Sequence, residues 1–115
     1  MLAQYLDLAD QFNSQEGVVV IDVSNYDYCL IQPIGADVTL QSTIDSGAIQ
    51  GVSDGSAVSA TNFNTVAALH LSDGITYSNS VENGKISRLS VVGRYVKILG
   101  ESVPTKLLVM LAKIS

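Results

Sequence analysis

The residues SRLSVVGRYVKIL, Ser87 to Leu99, decide how this chain is read. They divide into two apolar segments, Leu89 to Val92 and Tyr95 to Leu99, hinged at Gly93, where a residue without a Cβ permits a bulge or sharp bend. Side chains alternate along a strand, so Arg94, Val96 and Ile98 share one face of the second segment while Tyr95, Lys97 and Leu99 share the other. Neither face is wholly polar. A strand of that kind belongs inside a sheet that a second sheet covers on one side and something else touches on the other.

Working outward, the turn GESVP leads from this stretch to a last strand, Thr105 to Ile114, and Asn83-Gly84 before it carries a type I′ hairpin signal. Val18 to Val23 is β-branched at five of six positions, which favours strand over helix. Tyr26 to Ile34 follows as a strand, with Pro33 marking an edge or a terminus, and Val38 to Asp45 alternates cleanly with period two. Thr65 to Leu71 and Ile75 to Val81 are further strands. Between them and the early strands, Ser46 to Asn64 is a Gly/Ser/Asn-rich loop of functional or interfacial length, with room for a short strand near Ala57 to Ala60. The count is eight or nine strands with turn-rich connections. It predicts an all-β fold, an antiparallel β-sandwich of about eight strands, with a small β-barrel as the alternative, and no βαβ units for a cofactor crevice.

At the start, Leu2, Tyr5, Leu6, Ala9 and Phe12 recur at helical spacing. They predict a short N-terminal helix or arm, residues 1–16, ahead of a single sandwich domain, residues 17–115. A sandwich can fill its core from Val18 onward, so this arm is expected to dock on a neighbouring subunit or a larger assembly, the alternative being that it caps an open end of its own sandwich.

The 115 residues suit one domain whose core needs neither disulfide nor metal. Cys29 is the single cysteine and reads as a small buried apolar residue. Charged residues are 15% of the chain and hydrophobic ones 47%, an apolar balance that points to surface buried by partners. No run is long enough for a membrane helix, and MLAQYLDLADQF lacks the pattern of a signal peptide, so no membrane partner is expected. Residues 1–84 carry ten acidic residues and no Lys or Arg, whereas residues 85–115 carry all six cations against Glu101 alone; minus ten plus five gives the net minus five. Such segregation can be satisfied across strands within the fold or between subunits placed head to tail. Six dispersed cations in an acidic chain make a poor phosphate-tracking surface, so nucleic acid is not an expected partner.

Residues capable of chemistry are few and scattered. His70, in AALHLSDG, is the single histidine, and its neighbours Ser72 and Asp73 cannot form a catalytic set without a converging nucleophile and oxyanion site. Asp22, Asp27, Asp54 and Asp73 flank or occupy turns, where a carboxylate bonds locally to backbone. There is no calcium loop, phosphate loop or zinc ligand set, and no Trp for a sugar platform. The expectation is no catalytic residue, no metal and no cofactor.

Asp22, Ser24 and Tyr26 closing the first strand, the hairpin Ile44-Asp45-Ser46-Gly47, and the late strand GRYVKI, Gly93 to Ile98, resemble the small β-sandwich modules of tailed-bacteriophage virion proteins. The likeness spans roughly residues 18 to 99. It implies a non-enzymatic structural virion protein, a capsid decoration or auxiliary head protein, made in the host cytoplasm and located in the virion. Its partners would be copies of itself, a trimer being favoured, and a major capsid or other virion protein. Leu2, Tyr5, Leu6, Phe12, Arg94, Tyr95 and Lys97 are the candidate interface residues. The alternative is a receptor- or carbohydrate-binding β-sandwich module that uses the loops Ser46 to Asn64 and Ser72 to Gly84.

Overall fold

A computed structural model describes residues 2–12, 17–44, 52–53, 62–90 and 94–114. Among the described residues it contains twelve strands and a single 3-10 turn, Ala9–Gln11. The strands are β1 Leu2–Asp7, β2 Val18–Asp22, β3 Tyr28–Ile34, β4 Val38–Thr43, β5 Val52–Ser53, β6 Asn64–Thr65, β7 Ala68–His70, β8 Tyr77–Ser78, β9 Ser80–Val81, β10 Ser87–Ser90, β11 Tyr95–Leu99 and β12 Lys106–Lys113. They form two antiparallel sheets. The first has the order β1-β12-β3-β10-β7-β8, and the second β5-β2-β11-β4-β6, with β9 also paired to β4. The all-β sandwich class expected from the alternation is the observed one, with the count raised because several pairings are only two or three residues long.

The core lies between the sheets. Val19, Ile21, Val38, Leu40, Val96 and Ile98 from the second sheet meet Cys29, Ile31, Leu89, Leu107, Val109 and Leu111 from the first. Each strand contributes alternate residues, as the pleat requires. β11 sits between β2 and β4, with Val96 and Ile98 in the core and Tyr95 on the opposite face. β10 and β11 belong to different sheets, so the chain crosses layers between Ser90 and Arg94. The hinge placed at Gly93 lies outside the described residues, as do the possible strand at Ala57 to Ala60 and most of the loop Ser46 to Asn64.

Two expectations are corrected. Leu2 to Phe12 is not a helix: Leu2–Asp7 is a strand in register with Lys113–Leu108 of β12, followed by the short 3-10 turn. An apolar pattern this short satisfies both periods, and the open edge of β12 supplies backbone partners that an isolated helix of this length lacks. The segment also reaches its own core. Leu6 packs against it, and Leu8 and Phe12 are buried within it, each at roughly 1.5 to 3 kcal/mol of transfer free energy.

The second correction concerns Asn83-Gly84. The Lys85 amide donates to the Glu82 carbonyl at 2.9 Å, which closes a β-turn. Gly84 has φ +80° while Asn83 has no positive φ, the pattern of a type II turn rather than I′. It joins β9 to β10, strands of opposite sheets, so it is not a hairpin. Asn83 is tied down elsewhere: its Oδ1 accepts from the Gly35 amide at 2.8 Å, and its amide donates to Asp37 Oδ1 at 2.8 Å. Those bonds fasten the turn to the β3–β4 connection.

Candidate interaction surface

The two outer faces of the sandwich differ. On the second sheet, Tyr95 and Val20 are fully buried against each other, with Phe63 packed over them. Lys97 places its ammonium 4.3 Å from the Phe63 ring centroid. This is the further contact that the two-faced apolar strand demanded, and it comes from within the chain. Arg94 is half-buried, its guanidinium 5.6 Å from the Tyr95 ring centroid, and its Nε has no hydrogen-bond partner among the described residues.

The first sheet shows solvent a row of outward side chains running across all six of its strands. The strand registers place Tyr5 opposite Met110, Met110 opposite Leu30, Leu30 opposite Arg88, Arg88 opposite Leu69, and Leu69 opposite Tyr77. Tyr5 is 76% exposed and Tyr77 66%. Beside this row, Leu108, Gln32 and Ile86 join Tyr5, Leu30 and Met110 around a shallow groove of about 260 Å³. A second hollow of about 470 Å³ lies on the other side of Arg88, lined by Val66, Leu69, Tyr77 and Ser90. Arg88 is the one cation in the row, and its guanidinium stacks 4.3 Å from the Tyr28 ring centroid. A contiguous apolar area of this kind marks an interaction site more often than scattered surface leucines do.

Of the residues expected at an interface, the structure brings only Tyr5 onto this face. Leu6 turns inward, Phe12 and Tyr95 are buried in the chain itself, and Arg94 and Lys97 lie on the second sheet. The side chain of Leu2 is outside the described residues. The sequence reading missed Met110, Leu30, Arg88 and Leu69, and placed Tyr77 only within the loop Ser72 to Gly84. A signal existed: Leu108 and Met110 interrupt the inward set Leu107, Val109 and Leu111 with further apolar residues, the same two-faced character that singled out Tyr95 to Leu99.

Among the described residues, groups capable of chemistry do not converge. His70 Nε2 lies 3.2 Å from the Ser80 carbonyl, and Asp73 is committed to its own turn, accepting from the Ile75 and Thr76 amides and the Thr76 hydroxyl. Those bonds, led by the Thr76 hydroxyl, lower the Asp73 carboxyl to about 2. Burial pushes the Cys29 thiol up to about 12, which leaves it protonated and unreactive. Among the described residues no three His, Cys, Asp or Glu side chains gather to hold a metal ion. A cleft of about 630 Å³ is walled by Gly17, Thr39, Leu99, Gly100, Ser102 and two carboxylates, Asp37 and Glu101.

No protein-family model and no curated protein matches the chain. Among solved structures, the fold is similar to that of the SPBc2 prophage-derived protein YomS, with a TM-score of 0.62 over 96% of this chain and 92% of that one. Sequence identity across the match is 8%, so the likeness is one of fold.

Proposed function

We propose that the chain is a non-enzymatic structural component of a phage particle, a capsid decoration or auxiliary head protein that associates with copies of itself and attaches to a larger assembly. The observation that carries this reading is the apolar row from Tyr5 to Tyr77 on the outer face of the first sheet. The opposite sheet covers its apolar strand with Phe63 from the same chain, whereas this row leaves its end rings, Tyr5 and Tyr77, and the Arg88 between them exposed. Exposing such a face costs solubility unless a partner removes it from water. The origin of the fold neighbour, a prophage, supports placing the larger assembly in a virion.

The test is to purify particles of the phage that encodes the chain and to quantify the chain in them by mass spectrometry. A fixed stoichiometry to the major capsid protein is expected, and it should be lost when Leu30→Lys and Met110→Glu are combined. Particles free of the chain overturn the reading.

A second reading, a receptor- or carbohydrate-binding module, draws on the hollow beside Arg88, where Tyr77 and Ser90 add an exposed ring and a hydroxyl. Binding to a glycan array that Arg88→Ala and Tyr77→Ala abolish would favour it over attachment through the whole face.

A further inference from the structure

The edges of the two sheets are unequal. β5, β6, β8 and β9, which end the sheets elsewhere, are two residues each, short enough to offer little to a passing strand. β1 ends the first sheet with six residues, LAQYLD. It carries no proline and no lysine, the residues that usually guard an edge. Its one charge, Asp7, is already engaged within the chain, accepting from the Ala9 amide at 3.2 Å and the Leu107 amide at 3.1 Å.

The ladder shows which backbone groups face outward. The Leu8 amide donates to the Leu107 carbonyl at 2.8 Å, one step beyond the register that pairs Asp7 with Leu108. In an antiparallel pair, alternate residues direct both N–H and C=O to the same neighbour. Gln4 and Leu6 therefore bond to β12, while Ala3, Tyr5 and Asp7 aim their amides and carbonyls at the outer edge, which pairs with no other strand among the described residues.

We infer that this edge pairs with β1 of a second copy about a two-fold axis normal to the sheet, Tyr5 facing Tyr5 and Ala3 facing Asp7 of the other copy. Such an axis keeps each face of the sheet on its own side, so residues opposite one another must have the same parity. Ala3, Tyr5 and Asp7 all do, and they are the residues with free hydrogen-bonding groups. In this register the two Asp7 carboxylates are not opposed, which avoids a like-charge pair. Tyr5, exposed at the end of the apolar row, gains an aromatic neighbour across the strands, and the two rows join into one that crosses both copies. An edge satisfied by its own copy closes at two subunits, in place of the trimer expected from sequence.

The inference rests on the assembly reading above and names its first contact. Sedimentation over a range of micromolar concentrations should show the mass doubling. Ala3→Pro, which deletes an outward amide only, and Tyr5→Lys, which installs an edge guard, should each raise the midpoint of association by about tenfold or more while the monomer melts as before. Amide exchange should slow with concentration at Ala3 and Tyr5 but be slow throughout at Gln4 and Leu6. A chain that stays monomeric at every concentration overturns the pairing, as does one that pairs only when an extended segment of another protein is supplied. A dimer indifferent to both variants also overturns it and leaves the assembly reading standing. Particles lacking the chain would remove that reading without touching the dimer.

Discussion

The Gly100 amide donates to the Gly17 carbonyl at 2.9 Å, and the two backbones run so close that a Cβ on Gly17 would overlap the Gly100 carbonyl oxygen. Gly17 has φ +71°, so a side chain there would be strained as well as crowded. The contact joins the residue before β2 to the residue after β11, strands that pair along their length.

Gly17→Ala should therefore destabilise the chain by about 2 kcal/mol or more, since left-handed strain of roughly 1 to 2 kcal/mol adds to a backbone overlap that no rotamer relieves. Gly74, at φ +68° with nothing near its would-be Cβ, provides the control. Gly74→Ala carries the strain alone, about 1 kcal/mol. Urea denaturation of both variants measures the difference, and equal losses would contradict the overlap.

Phe12→Ala should lower stability by about 3 to 5 kcal/mol, because the ring is buried in the main core. Thermal unfolding of the monomer reads it directly. A ring that served only a neighbouring subunit would leave the isolated domain unchanged on truncation.

Asp73 makes part of the acid limb of stability. Its carboxyl falls from 3.8 to about 2 on folding, so the contribution is fully present above the unfolded value and is lost as pH falls through the folded one. Between pH 4 and 2 the melting temperature of Asp73→Ala should decline less steeply than that of the wild type. Parallel profiles would show that the Thr76 bonds do not survive in solution.

Cys29 should resist Ellman's reagent at pH 8 in the folded chain and react at once in urea, because burial holds the thiol at about 12 and keeps the reagent out. The same shift makes the alkaline limb fall as pH climbs from 9 toward 12, since only the unfolded thiol ionises there. Cys29→Ser tests the assignment: the hydroxyl does not titrate in that range, so this share of the alkaline loss should disappear.

By itself the sequence determined the class of fold and the faces of its best strands. Val38 to Thr43 and Tyr95 to Leu99 alternate, and the pleat turns that alternation into an inside and an outside without reference to anything distant. It also showed that the outer face of Tyr95 needed a cover, though not that Phe63 would supply it. Tertiary structure decided what one-dimensional pattern leaves open. Leu2 to Phe12 fits a helix or a strand until β12 offers its edge. Asn83-Gly84 reads as a hairpin until Gly35 and Asp37 claim its hydrogen bonds. The row from Tyr5 through Met110, Leu30, Arg88 and Leu69 to Tyr77 has no period along the chain, because its members come from six strands and only the registers between those strands bring them into line.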